Sequence, residues 1–264
     1  MAALGGDLRD LLARMEARLR RRVGASPIGD FLLRLENLFR EPSLSSPDIR
    51  TLDSIWREVI EAEVYHHPGF QVRHGDAVIV DVGAHVGLFA AWVCARYRPR
   101  SVLSLEASPV TYRHLVRNLK RIAKKHVGVT LTPVHAAVSD APDQTVTIFH
   151  QSDRTATSTL RPEGRGSGRP YAVRTTTLAR QLTAHALETV DLLKIDVEGH
   201  FMQVLGGIGD EHFPRIRNLV IECDWVTGGA PGRSEVERFL GERGFKTEVD
   251  DPEKPNNIIV FAYR

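Results

Sequence analysis

The sequence predicts an α/β fold: a mostly parallel, seven-stranded sheet with helices on both faces, a terminal antiparallel hairpin, and a helical N-terminal extension. Three observations carry this. Short apolar runs alternate with helix-periodic segments from residue 77 to 243, the pattern of strands joined by crossover helices. Two of those runs pass through acids into glycine-containing turns, as strands do where a parallel sheet meets a ligand. The last two runs, 246–249 and 257–263, are separated only by the turn-rich stretch 250–256, so they pair antiparallel at a sheet edge.

The elements follow in chain order. Leu4, Leu8, Leu11, Leu12, Met15 and Leu19 recur at helical spacing among six arginines, an amphipathic helix ending near Gly24. Its basic face suits its own domain, a second copy or an anionic membrane surface. A second helix is expected over 28–39, a Pro/Ser-rich linker over 41–48, a third helix over 49–64, and a turn over 65–70. His66 and His67, being adjacent, cannot face one ligand from a helix or strand. Strands are then expected near 77–82, 101–106, 129–138, 190–196 and 217–223, with helices near 87–97, 109–124, 175–184, 199–207 and 233–243. An extra strand at 145–150 shows period-two alternation, and the polar stretch 151–170 reads as a mobile loop beside the site. The domains are accordingly 1–75, a helical extension serving as lid or dimer contact, and 76–264, the sheet domain.

The chemistry begins at Val78-Ile79-Val80-Asp81-Val82-Gly83-Ala84-His85-Val86-Gly87-Leu88. An apolar strand runs through an acid into a glycine turn and directly into a helix, the place where an α/β sheet presents a nucleotide-like ligand to a helix N-terminus. Gly83 and Gly87 let the backbone approach a ligand, and His85 is a residue type that tolerates the left-handed region. The spacing is not the Gly-x-Gly-x-x-Gly of a dinucleotide site. Glu106 ends the next strand 19 residues beyond Gly87, where a carboxylate can accept the ribose hydroxyls of an adenosine. That geometry fits S-adenosylmethionine as well as NAD.

A third segment, Val190-Asp191-Leu192-Leu193-Lys194-Ile195-Asp196-Val197-Glu198-Gly199, is another buried-type strand ending in acids and a glycine. Lys194-Ile195-Asp196-Val197-Glu198-Gly199, with Asp81-Val82-Gly83-Ala84 and Leu105-Glu106-Ala107-Ser108-Pro109, strongly resembles the FkbM-type family of S-adenosylmethionine-dependent methyltransferases. His135-Ala136-Ala137-Val138-Ser139-Asp140, Ser158-Thr159-Leu160, Thr177-Leu178 and Ile221-Glu222 extend the resemblance, in order, over about residues 55 to 263. Two positions depart from the family pattern: His85 stands where Asn is usual, and Phe201 where Glu is frequent, so no acid at 201 can act here. The resemblance implies a class I methyltransferase (Rossmann-like) fold, S-adenosylmethionine as cofactor, and tailoring of a secondary metabolite or a sugar.

On that reading Asp81 orders the glycine loop or meets the cofactor's amino-acid portion, Gly83, His85 and Gly87 shape that cofactor-binding loop, and Glu106 takes the ribose. Ala107, Ser108, Val138 and Ser139 flank the adenine. Asp196 is the first candidate for the general base or for gripping the cofactor amine, with His200 and Glu222 as further catalytic candidates. Trp225 is a candidate for lining the acceptor pocket. Asp196, Glu198, His200, Glu222 and Asp224 could also hold a divalent cation, though their spacing is not diagnostic and a metal is not favoured. Asp196 and Glu198 have a plainer reading as caps of the following helix. The leading expectation is O-methylation of a small-molecule or glycan hydroxyl. N-methylation on the same fold and a non-catalytic cofactor-binding scaffold are the alternatives.

Composition fits such an enzyme. The 264 residues suffice for one large α/β domain plus an extension, and 42% hydrophobic with 26% charged residues is ordinary for a globular protein. A net charge of +2 gives no general electrostatic case for nucleic-acid binding. Cys94 and Cys223 read as buried free thiols rather than a metal or disulfide pattern. No run reaches membrane-spanning length and no signal-peptide core is present, so a cytoplasmic location is expected.

Overall fold

Strand β1 (Val78–Val82) is buried along its whole length because the chain is layered on both sides of it. The computed structural model describes residues 43–151, 154–159, 169–223, 232–251 and 258–264. The helices expected over 4–24 and 28–39 lie outside them. The compact unit that carries the sheet begins at Leu44, so residues 44–75, expected with the extension, pack as part of it.

Helix α1 (Ile49–Trp56) starts at Asp48, whose side chain accepts the Arg50 N–H, and buries Ile49, Leu52 and Trp56. It runs on through a π-helical turn, Arg57–Glu61. After β1 come α2 (Leu88–Tyr97), β2 (Ser101–Glu106), α3 (Pro109–Lys125) and β3 (Thr130–His135). Residues Leu88 to Cys94 of α2 are all buried, so this helix has no solvent face in its first two turns. Helix α3 is amphipathic, starts with Pro at its first position, and is capped by Ser108.

Beyond β3 the structure departs from expectation. The single strand expected over 129–138 is two: β3 ends at His135, and β4 (Ala137–Val138) joins a second sheet. Strands β5 (Thr145–Gln151), β6 (Arg154–Thr159) and β7 (Arg169–Thr176) complete that sheet, in the order β4-β7-β5-β6. The stretch read as a loop therefore carries β6 and the start of β7, while residues 152, 153 and 160–168 lie outside the described residues. The reason is tertiary. β7 pairs with β5 in unbroken register from Thr145↔Arg174 to His150↔Arg169, and Val173 then packs on Ile148 and Ala137 in a small separate core. The helix expected from 175 accordingly starts later, as α4 (Leu178–Ala184), with Thr177 as its cap.

The chain then returns to the large sheet as β8 (Leu192–Ile195), α5 (Phe201–Gly206), β9 (Asn218–Cys223), α6 (Arg233–Gly241), β10 (Lys246–Val249) and β11 (Ile258–Tyr263). Its order is β10-β11-β9-β8-β1-β2-β3. Strands β3, β2, β1, β8 and β9 are parallel, and β11 runs antiparallel to both β9 and β10. This is the class I methyltransferase arrangement.

The order reverses at β1: the chain builds outward through β2 and β3, then crosses back to place β8 on β1's other side. In an open parallel sheet, that switch point opens a crevice outside the carboxyl ends of the two strands. Alternation sets what faces each side. Val80, Val82, Leu193, Ile195, Leu219 and Ile221 enter a core with Leu178, Leu182, Phe201, Val204, Val236 and Leu240. Asp81 and Lys194, one residue out of phase, therefore point to the opposite face. Among the described residues no helix is long and apolar enough to cross a membrane.

Candidate functional site

At the end of β1 the backbone turns sharply, with Gly83 at φ 79° and both Gly83 N–H and Ala84 N–H donating to Leu105 O, at 3.0 and 2.9 Å. Only glycine fits at 83. A Cβ there would lie 1.7 Å from the carbonyl oxygen of Asp196, so the turn rests directly on the end of β8. His85 adopts φ 48°, the left-handed conformation its position requires. Gly87, at φ 92°, begins α2.

Glu106 ends β2 facing that turn. Its Oε2 accepts the His85 N–H at 2.8 Å, and its Oε1 accepts the Ser108 N–H at 2.8 Å and the Thr111 hydroxyl at 2.7 Å. Burial pushes this carboxyl above the ordinary range, against the pull of Thr111, Ser108 and His85. A carboxylate offers about four lone-pair sites. Among the described residues three are committed here and one, on Oε2, is not. Ser108 is buried as the cap of α3, and Ala107 O lies 3.0 Å from His135 Nε2, with Tyr112 stacked on that ring. Val138 is buried; Ser139 N–H donates to Thr176 O, and its hydroxyl donates to Asp140.

The least anticipated feature lies between β1 and β8. Asp81 and Lys194 are direct cross-strand partners. Lys194 Nζ stands 3.3 Å from Asp81 Oδ1 and 3.1 Å from Asp196 Oδ2, and donates to Gly83 O at 3.0 Å. Asp81 is fully buried, and no described group makes an aligned hydrogen bond to either of its carboxylate oxygens. Burial pulls the Lys194 ammonium down, but the charges of Asp196, Asp81 and Glu222 outweigh it and leave its pKa raised. For Asp81 burial wins, and the carboxyl is raised despite Lys194. The rings of Tyr65 and Phe89 lie 5.4 and 5.8 Å from the ammonium. The Tyr65 hydroxyl donates to Glu222 at the end of β9. Burial, then the charges of Asp196, Glu222 and Asp81, push that phenol well up.

Asp196 keeps 28% of its side chain exposed, so it can be reached from the crevice. Glu198 and Gly199 form a left-handed turn at φ 48° and 83°, and His200 follows as the cap residue of α5. Sequence-predicted Asp81, Gly83, Asp196 and Glu222 are thus brought together around Lys194, while Glu106 with His85 forms a second group across the glycine turn. Asp224 and Trp225 lie outside the described residues.

The suggested divalent-cation site finds no support. Among the described residues no group of three or more His, Cys, Asp or Glu side chains is placed to hold a metal. The position between Asp81 and Asp196 is taken by the Lys194 ammonium, and Glu222 is held by Tyr65. His66 and His67 diverge: the first meets Arg96, the second stacks on Phe261 beside Glu248. Lys194 and Tyr65 were not read from the sequence as site residues. The usable signal was a charge inside the buried run Leu192-Leu193-Lys194-Ile195, which a partner must explain.

The known proteins to which this chain is similar include methyltransferases. Residues 81–247 match the family described as Methyltransferase FkbM domain. The chain is 27% identical over 211 residues to Methyltransferase sdnD of Sordaria araneosa, covering 70% of this chain and 80% of that one. It is 28% identical over 226 residues to the 31-O-demethyl-FK506 methyltransferase FkbM of Streptomyces tacrolimicus, covering 75% and 84%. Among solved structures, a Methyltransferase FkbM from Methylobacillus flagellatus KT aligns with a TM-score of 0.48 at 13% identity, covering 89% of this chain and 59% of that one.

Proposed function

The chain belongs to the FkbM family of S-adenosylmethionine-dependent methyltransferases, and from that premise we propose that it methylates a hydroxyl of a small molecule, a secondary metabolite or sugar. The carrying observation is the bare backbone at Gly83, pressed on Asp196 at the switch point with Glu106 facing it. These residues fit an adenosyl cofactor. Asp81, Gly83, His85 and Gly87 form the cradle for its amino-acid end, beside two buried Asp81 oxygens that no aligned donor among the described residues satisfies. Glu106 keeps a lone pair for a ribose hydroxyl. Ala107, Ser108, Val138 and Ser139 border the adenine side.

When bound, the cofactor supplies a methyl group activated on a sulfonium. The protein's share is alignment and proton removal. Asp196, partly exposed at the end of β8, accepts the proton of the acceptor hydroxyl, with His200 and Glu222 at the same edge. Residues 44–75 serve as cover, since Tyr65 reaches across to Glu222. An oxygen acceptor is supported by the relative named for 31-O-demethyl-FK506.

The test is calorimetric titration of the purified protein with S-adenosylmethionine, S-adenosylhomocysteine and NAD, alongside Glu106→Ala. Binding of both adenosyl ligands but not NAD, lost in the variant, supports the cofactor reading; binding of NAD alone overturns it. Methylation of amines but not hydroxyls in an acceptor panel, with turnover unchanged in Asp196→Asn, would sink the O-methylation mechanism.

A further inference from the structure

A buried ammonium in the middle of a parallel sheet is costly, and an apolar residue of similar size is often the more stable choice. Lys194 is 3% exposed and sits between Leu193 and Ile195, both fully buried. Its three N–H protons have three oxygen neighbours within 3.3 Å: Asp81 Oδ1, Gly83 O and Asp196 Oδ2. Every one of these belongs to a segment that builds the crevice. The first lies in β1 and the second in the turn after it, the third at the end of β8, more than a hundred residues away in sequence.

We propose that Lys194 is a positioning residue of the adenosyl site: one ammonium fixes the acid-glycine turn against the acid end of β8 and sets how strongly the site prefers a cationic sulfonium to a neutral thioether. This rests on the reading that S-adenosylmethionine binds here. Among the described residues the carboxylates of Asp81, Asp196 and Glu222 gather around the Lys194 ammonium, with the Tyr65 phenol against Glu222. Ionised, it carries an excess of negative charge and attracts a cation. Lys194 offsets part of that excess. Without it, a sulfonium ligand would be held more tightly relative to its thioether product, and the glycine turn would lose its tie to β8.

The two effects separate in binding. Lys194→Met removes the charge and keeps an unbranched side chain one heavy atom shorter. Loss of positioning weakens S-adenosylmethionine and S-adenosylhomocysteine alike. Loss of charge changes their ratio, and in a poorly screened site the expected shift is roughly tenfold toward S-adenosylmethionine at about pH 8. Asp81→Asn removes a negative charge from the same cluster and should move the ratio the other way. The experiment is calorimetry of wild type, Lys194→Met and Asp81→Asn with both ligands, with thermal melts to confirm folding.

Opposite shifts in the two variants support the assignment. An equal loss for both ligands, with the ratio kept within about twofold, would overturn it and leave Lys194 a structural tie. Should Lys194→Met fail to fold, Asp81→Asn decides alone by whether its ratio falls. If the wild type binds neither ligand, the adenosyl reading itself fails and takes this inference with it. If it binds both and the ratios do not move, only the inference fails.

Discussion

The backbone N–H of His85 donates to Glu106 Oε2 at 2.8 Å, joining the turn after β1 to the end of β2. Glu106 is thus an internal brace as well as a candidate ligand group. Its three donors hold it in one orientation, so little side-chain freedom remains to be lost when a ribose arrives.

Replacing Glu106 tests both roles. Glu106→Ala strands the His85 and Ser108 N–H groups and the Thr111 hydroxyl, and water entering the space recovers part of the loss. The expected destabilisation is about 2–4 kcal/mol. Glu106→Gln keeps one carbonyl oxygen for Ser108 and Thr111 but turns an NH2 toward the His85 N–H. Its melting temperature should fall less than that of the alanine variant, while its affinity for S-adenosylhomocysteine drops about tenfold. Calorimetry and thermal melts check the two together. Wild-type affinity in Glu106→Gln would remove this residue from the cofactor site.

Gly83 and Gly87 should respond very differently to a methyl group. At 83 the new Cβ would meet the backbone oxygen of Asp196, 1.7 Å away, which cannot move without shifting β8. Gly83→Ala should cost about 4 kcal/mol or more and abolish adenosyl binding. At 87 the nearest atom is Leu115 Cδ1 at 3.1 Å, a flexible side-chain end, so the left-handed φ is the main penalty. Gly87→Ala should fold, with a loss of about 1–2 kcal/mol. Denaturant melts rank the pair, and equal losses would mean that the contact with Asp196 is not tight.

What the sequence made legible is local. The glycine turn, Glu106 and the terminal hairpin announce themselves through residues within about twenty positions of one another, because turn chemistry and strand period are short-range properties. The Lys194 cluster is not of that kind. Asp81 and Lys194 face each other only because β8 crosses back to β1, and Tyr65 reaches Glu222 across 157 residues of chain. The second sheet was missed for a related reason. Residues 151–170 are polar, and the pairing of β7 with β5, rather than any propensity of their own, makes a strand of part of them.

Cys94 illustrates a property that burial alone fixes. It lies in the fully buried stretch of α2, and desolvation pushes its thiol up to about 12. The thiolate is the reactive form, so at neutral pH almost none is present. Iodoacetamide should leave Cys94 unmodified in the native protein and label it promptly in denaturant, as peptide mass spectrometry would show. Rapid native labelling would mean that α2 opens to solvent.

Asp191 links a buried ion pair to acid dependence. Burial pushes its carboxyl up, but the Arg73 guanidinium, the Val78 N–H and the charges of Arg73 and Arg217 outweigh this and leave it below the ordinary value. Arg73 contacts it in bidentate fashion, with Nε and the terminal nitrogen each 2.8 Å from one carboxylate oxygen. A folded-state pKa below the unfolded value means that the stabilisation is fully present above about pH 4, the unfolded value. It is lost as pH falls through the lower, folded value. Arg73→Leu should therefore destabilise at neutral pH. Because the arginine is 38% exposed, water will soften the loss, and about 2 kcal/mol is expected. In acid, where the wild type loses the same contribution, the two stability curves should converge. Melts of both proteins from neutral to acid pH measure this. A gap that stays constant down to about pH 2 would show that Arg73 stabilises through packing of its stem rather than through the Asp191 charge.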